Sequence, residues 1–314
     1  MLKCILFLIS EQYYKVVSEH MEEISEKIMP HQVEVSLQKV SATGEDILAG
    51  NDFAKYGKNF ELVEEILIIT DDAKTTETLL REKYYVAVLY HEQNKDQSFP
   101  PVRYAIEDLF QLDYKSYEEV YQRLAGLPWE ILQTKRLLVR ESTVDDVDEF
   151  YRIYKDPSIT LYMENLYEDR DTEAAYMKAY IDQIYGFYGY GLWTVILKET
   201  GQIIGRAGLS IREGYDFPEL GFLIDTAFQK QGYGFEVCNA ILKYAREELA
   251  FEKVQALADE RNVISINLLQ KLGFIYDRDV TVENRRYRLY LTIESVYDSL
   301  TMYHLTAKGG NEEK

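Results

Sequence analysis

Six consecutive residues, Gln229-Lys230-Gln231-Gly232-Tyr233-Gly234, are the stretch of this 314-residue chain whose types and spacing most plainly suit chemistry. Glycines at the mouth of a helix leave backbone N–H groups unobstructed, so a phosphate can rest on them against the positive end of the helix dipole. The residues before them, Glu219 to Asp225, read as a strand, and Val237, Ala240, Ile241, Tyr244, Ala245 and Leu249 follow at helical spacing. Strand, glycine turn and helix together make an anion cradle, although a tight turn uses glycine just as well. A P-loop would carry Lys-Ser or Lys-Thr after its last glycine, where Phe235-Glu236 stands. A dinucleotide fold would want a third small residue at position 237, which is Val237.

Gln-x-x-Gly-x-Gly after a strand that begins Glu219-Leu220-Gly221-Phe222 resembles the acetyl-CoA pyrophosphate loop of the GNAT acetyltransferases. Two further stretches carry the same resemblance. Asn262-Val263-Ile264-Ser265, closing in Leu272-Gly273-Phe274, and the opening strand Thr134-Lys135-Arg136-Leu137-Leu138-Val139-Arg140 are similar to the branch that includes the ribosomal-protein N-terminal acetyltransferases. Taken singly, Asn262 is also a plain helix N-cap and Gly273 a plain helix stop. The resemblance spans residues 134–293.

The resemblance implies transfer of an acetyl group from acetyl-CoA to a primary amine, either a cationic small molecule or a protein N-terminus. It places Phe222, Leu223 and Ile224 along the pantetheine arm. The N–H groups of Gln231, Gly232, Tyr233, Gly234 and Phe235 would take the pyrophosphate, with Gln229 and Lys230 closing around it; Lys230 has a solvated-surface reading too. Asn262 would help hold the pantetheine, and Ser265, one turn on, would reach the leaving thiolate. Glu219 stands at the position of the family's catalytic glutamate. It is expected as the base, directly or through water, or as an attractor for the ammonium, or as a bland edge-strand carboxylate. The family's tyrosine acid, seven residues beyond the asparagine, is replaced by Leu269, which leaves Ser265 and Tyr276 as candidates. Tyr176, Tyr180, Tyr185, Tyr188, Tyr190 and Trp193, near Glu164, Glu168, Asp169 and Asp171, would suit an ammonium, and equally a packed core.

The elements that must position these residues follow from pattern. Leu192–Leu197, 203–211 and Glu219–Ile224 read as an antiparallel meander turning at Glu199-Thr200-Gly201 and Glu213-Gly214. Gly205 and Gly208 mark bends or close approach. Helices are expected over 144–154 and 172–186, and last strands over 253–258 and 285–293.

Residues 1–130 read as a separate, small doubly wound α/β domain, 131–300 as a mixed sheet with helices on both faces, and 301–314 as a polar tail. In the first part, strands over 2–9, 33–37, 66–70 and 85–90 alternate with helices over 12–29, 73–82 and 116–124, with a polar loop and short helix over 41–58. Asp71-Asp72 ends one of these strands, where such folds put chemistry. The arrangement faintly resembles haloacid-dehalogenase-like hydrolases, yet the first strand ends Leu8-Ile9-Ser10 without the family's nucleophilic aspartate, and Thr75 replaces a second acidic residue. Asp71 is expected as a helix N-terminal carboxylate and the domain as a specificity or assembly module.

Composition narrows the partners. A net charge of −19, with 13 basic against 24 acidic residues in 1–133 and 22 against 30 beyond, argues against nucleic acid and anionic membranes. Cys4 and Cys238 provide no disulfide framework or four-cysteine metal site. None of the four histidines lies between 134 and 303, so neither metal nor histidine base chemistry is expected there. The apolar start, Leu2 to Ile9, lacks a cleavage site and reads as a buried strand in a cytoplasmic protein.

Overall fold

Residues 1–40 and 63–292 are described by the structure, a computed structural model. The expected loop and helix over 41–58, residue Ile293 and the polar tail lie outside the described residues. The chain divides after Trp129 into two compact units.

In the first unit, β1 (Cys4–Ile9), β2 (Glu34–Lys39), β3 (Ile66–Thr70), β4 (Tyr85–Leu89) and β5 (Ala105–Ile106) form one parallel sheet in the order β2-β1-β3-β4-β5. Strands β1 and β3 are unbroken apolar runs because both their faces are covered. Ile5, Phe7, Ile9, Leu67 and Ile69 pack with α1 (Glu11–Ile28) and α3 (Tyr114–Leu124). Their alternates Cys4, Leu6, Leu8, Ile66 and Ile68 pack with Leu79 of α2 (Ala73–Arg81).

The carboxyl ends of β1, β3 and β4 meet at the topological switch point of this strand order. Here the expectation for Asp71 is corrected. Asp72 caps α2 by accepting from Thr75 N at 2.7 Å, and Asp71, 0% exposed, turns inward. Its carboxylate accepts from Ser10 N and Ser10 Oγ, each at 2.6 Å, and lies 3.0 Å from His91 Nε2. Gln93 N donates to His91 Nδ1 at 3.2 Å, which leaves the proton on Nε2, facing Asp71. Three strand ends are thereby tied through one side chain. In Asp71→Asn, an amide N–H2 must confront one of these donors. The first unit is expected to lose roughly 1–3 kcal/mol of stability, the usual cost of an unsatisfied buried group. A urea midpoint for this unit equal to wild type would show that the tie carries no stability.

The second unit is an eight-stranded sheet in the order β12-β13-β11-β10-β9-β8-β7-β6. Its strands are β6 (Glu130–Gln133), β7 (Leu137–Arg140), β8 (Leu192–Leu197), β9 (Ile203–Ser210), β10 (Glu219–Ile224), β11 (Gln255–Ala258), β12 (Phe274–Val282) and β13 (Arg285–Thr292). The meander β8-β9-β10 is antiparallel, as its turn glycines require. On one face α4 (Val147–Tyr154) and α5 (Arg170–Tyr180) bury Phe150, Ile153 and Met177 against Ile196, Ile203 and Leu223. Helix α5 continues through a π turn, Ile181–Tyr185, to Tyr188. A larger core joins Val195, Ile204, Ala207 and Leu220 to Val237, Ile241 and Ala245 of α6 (Tyr233–Glu247) and to Ile266 and Leu269 of α7 (Val263–Lys271). Strand β12 and strand β6 are additions to the sequence reading. Among the described residues no helix is long and apolar enough to cross a membrane.

Candidate active site

Strand β10 pairs along its whole length with β9, from Glu219 opposite Ser210 to Ile224 opposite Gly205. Glycine is needed on β9: a Cβ on Gly205 would sit 2.2 Å from the Leu223 carbonyl oxygen, and one on Gly208 would sit 2.0 Å from that of Gly191. On its other side β10 meets the parallel strand β11 at a single register pair, Glu219 with Gln255, supported by Gln255 N donating to Pro218 O at 2.9 Å. Beyond that pair the two strands diverge. The edge of β10 that carries Phe222, Leu223 and Ile224 therefore faces a wedge in which an extended ligand can complete the backbone pairing.

At the end of β10 the chain turns into α6. Asp225 caps a short 3₁₀ turn, Thr226–Phe228, by accepting from Ala227 N at 3.0 Å. Gln229 Nε2 donates to Ile224 O at 2.8 Å, and Gln231 Nε2 donates to Ala227 O at 3.1 Å. These two side chains shape the loop from within. Lys230 is exposed, with φ +60°, and Gly232 takes φ +85° as the residue before the helix. The first intrahelical acceptor is Gly232 O, bonded by Glu236 N at 3.0 Å. Hence the N–H groups of Tyr233, Gly234 and Phe235 have no partner within the helix and point out of its positive end.

A long-range lock, which the sequence reading missed, holds this mouth. Glu236 accepts from Thr134 Oγ1 at 2.6 Å, Arg136 N at 3.0 Å and Arg136 Nε at 2.6 Å. Burial acts to raise the Glu236 carboxyl, and these hydrogen bonds outweigh it and hold the group below its ordinary value. The Arg136 guanidinium also donates to Gln231 O at 3.0 Å and lies 4.2 Å over the Tyr233 ring. An open groove of about 910 Å³ runs from this point, lined by Arg136, Gly232, Phe235, Asn239, Lys243 and Lys271 among others. Arg136 at the helix N-terminus, with Lys243 and Lys271 farther along the groove, suits an extended polyanion.

Across the wedge, Asn262 caps α7 by accepting from Ser265 N at 3.1 Å; its Nδ2 makes no hydrogen bond among the described residues. Leu269, two turns on, is buried in the core. Tyr276 is half exposed on β12 and donates to Asp279 Oδ1 at 3.1 Å. Glu219, 9% exposed, is bound by Arg212 through both carboxylate oxygens, from Nε and, at 3.1 Å, from Nη2. That hydrogen bond raises Arg212 above its ordinary value.

The aromatic residues divide by burial. Trp193 and Tyr185 are core, and Leu192 is held by Tyr180, which accepts from its N–H at 2.8 Å, and by Tyr185, which donates to its carbonyl at 2.6 Å. Only Tyr176 and Tyr188 of the six are exposed. Asp169, one of the nearby acidic residues, caps α5.

Residues 136–275 match the model of the acetyltransferase (GNAT) domain family. The chain carries a GNAT acetyltransferase domain. It is 27% identical over 164 residues to the uncharacterized protein YkkB of Bacillus subtilis, which covers 51% of this chain and 93% of that one. It is 27% identical over 143 residues to the uncharacterized N-acetyltransferase YnaD of the same organism, covering 45% of this chain and 81% of that one. A solved GNAT-family acetyltransferase from Bacillus anthracis is 19% identical, with a TM-score of 0.45 over 52% of this chain and 98% of that one. The match and the N-acetyltransferase relatives support acyltransferase activity. Its fold, a mixed sheet with helices on both faces, is the one expected. The matched residues lie entirely in the second unit. Among the described residues no cluster of three His, Cys, Asp or Glu side chains is placed to hold a metal ion.

Proposed function

We propose that the GNAT domain moves an acetyl group from acetyl-CoA directly to a primary amine, of a small molecule or a protein N-terminus. The observation that carries this reading is the wedge between β10 and β11, opening beside the unpaired N–H groups of Tyr233, Gly234 and Phe235. The residues fit the donor: the wedge admits a pantetheine arm against Phe222, Leu223 and Ile224, and the cradle admits a pyrophosphate. Bound there, acetyl-CoA supplies an activated acyl group whose leaving thiolate needs a proton. Within this reading Asn262 Nδ2 holds the arm, and Ser265 is placed one turn along α7 to give a proton to the thiolate. Glu219 takes the ammonium proton, directly or through water, once the amine has entered and drawn it from Arg212. The resemblance to the ribosomal-protein branch agrees with an α-amine, and both a protein N-terminus and a small molecule offer one. The amino-terminal unit, whose Asp71 is closed off by Ser10 and His91, serves specificity or assembly. A cytoplasmic setting agrees with its free thiols.

A second reading has the same cradle hold acyl-CoA as a regulatory ligand without turnover. Leu269 in the place of the family's tyrosine acid and the pairing of Glu219 with Arg212 favour it. Release of free thiol from acetyl-CoA against a panel of amines separates the two. Amine-dependent release is expected; tight acetyl-CoA binding with no release on any amine would favour the regulatory reading.

A further inference from the structure

Arg206 lies in the middle of β9, opposite Leu223 of β10 and Thr194 of β8. It is 6% exposed, yet no carboxylate among the described residues forms an ion pair with it, and its Nε has no hydrogen-bond acceptor. The guanidinium lies 4.5 Å over the ring of Phe150, on the face covered by α4 and α5. Its charge reaches four phenols, and with one of them, Tyr154, it shares a side-chain hydrogen bond. Burial raises Tyr154, Tyr176, Tyr180 and Tyr185, and in each Arg206 opposes part of that rise. Glu173, also buried, acts on Tyr154 and Tyr176, but its carboxylate accepts from Tyr167 N at 3.0 Å and does not pair with Arg206. Tyr176, 46% exposed, is the member of this cluster that meets solvent.

A buried guanidinium is costly unless an anion meets it, and the half-buried Arg140 is met in this way by both carboxylate oxygens of Asp146. Arg206 has no carboxylate among the described residues, and it stands directly across the strand pair from Leu223, one of the residues that the acetyl-transfer reading lays along the pantetheine arm. We propose that Arg206 is the subsite for a carboxylate carried by the acceptor, so that the acceptor is an amino acid or a similarly small amine bearing a carboxylate. The inference rests on the acetyl-transfer reading for the identity of the site, and narrows it. One planar fork without a second cation matches a monoanionic carboxylate better than a phosphate dianion. The Tyr180 and Tyr185 hydroxyls are taken up by Leu192, so Tyr154 and Tyr176 supply the neutral partners for the rest of a zwitterion, and Glu173 places negative charge near the same two rings.

The test compares α-amino acids with their carboxamides on the full-length wild type, Arg206→Met and Arg206→Lys. Thiol release reads turnover, and thermal shift in saturating CoA reads acceptor binding. In the wild type at least one amino acid is expected to be preferred over its carboxamide in both readouts. Arg206→Met should lose on the order of a hundredfold in kcat/KM for that amino acid, as when one partner of a buried charge pair is removed, and much less for the carboxamide, so that the preference for the acid collapses. Its own melting temperature should not fall, because an unmatched buried charge has been removed. Arg206→Lys should regain part of the preference. Carboxamides used as well as the acids, or a preference that survives in Arg206→Met, would overturn the carboxylate subsite while leaving acetyl transfer standing. No turnover of any amine would overturn acetyl transfer, and the thermal-shift preference would still decide on Arg206.

Discussion

Gly232→Val is expected to abolish acetyl-CoA binding at concentrations that saturate the wild type, in a protein that remains folded. Gly232 holds φ +85°, a conformation that a β-branched residue adopts only under strain of about 1–3 kcal/mol. A Cβ there would lie 3.4 Å from Arg136 Nη2, on the groove side of the loop. Relaxing the strain tilts the N–H groups of Tyr233, Gly234 and Phe235 away from a common focus. Keeping it leaves a branched side chain in the path of the phosphate. Losing two charge-assisted hydrogen bonds to the pyrophosphate weakens binding on the order of a hundredfold or more. Gly234 behaves differently, because its Cβ would point inward, 3.4 Å from Leu268 Cδ2 and 3.8 Å from Ile224 Cγ1. Alanine fits there as an ordinary contact, so Gly234→Ala should bind acetyl-CoA almost as wild type does, whereas Gly234→Val crowds α6 against α7. Calorimetric titration with acetyl-CoA measures both. A folded Gly232→Val protein with wild-type affinity would remove the pyrophosphate from this loop.

The contrast between these two glycines shows what the sequence carried and what it did not. Their presence at a strand-to-helix turn was legible, because strand, glycines and helical spacing are all local signals. Which glycine faces the groove depends on Leu268 and Ile224, brought there by packing. The lock of Arg136 and Thr134 on Glu236 joins residues about 100 positions apart, and no local pattern announces it. The wedge is likewise a relation between two strands, each of which reads as ordinary. Strand β12 went unseen for another reason: six of its nine residues are exposed, Ile275 and Tyr276 as well as Asp277, Arg278, Asp279 and Thr281, so it lacks the alternation that marks a half-buried strand. Its hairpin did leave a signal in Glu283-Asn284, both at positive φ, as a type I′ turn requires. Asp71 and Asp72 are adjacent and chemically identical, and only burial decides that the second caps the helix while the first ties three strands. Arg206 reads in sequence as one more basic residue on a strand, and its lack of a carboxylate partner is visible only in three dimensions.

Glu219 offers the second large effect, and Arg212 makes it possible to say what the carboxylate does. Glu219→Gln keeps the shape of the side chain and removes the charge. Arg212 is partly exposed, so water can take over the guanidinium and the fold should persist. If Glu219 accepts the proton, cofactor affinity should be nearly unchanged while kcat falls on the order of a hundredfold or more, the usual worth of a positioned base. The deficit should shrink toward high pH, as more of the amine arrives neutral. In that case Arg212→Gln, which leaves the carboxylate in place and frees it, should keep most of the rate. If the carboxylate only attracts the ammonium, the amine KM should rise with kcat little altered, provided that chemistry is slow relative to dissociation. If its task is to hold Arg212 in place, both single variants should lose activity equally and the double variant should lose no more, since two residues acting as one unit are not additive. Wild-type kcat and KM in Glu219→Gln across about pH 6 to 9, a range bracketing neutrality, would make Glu219 a structural residue at the hinge of the wedge. Base duty would then pass to a group outside the Glu219–Arg212 pair.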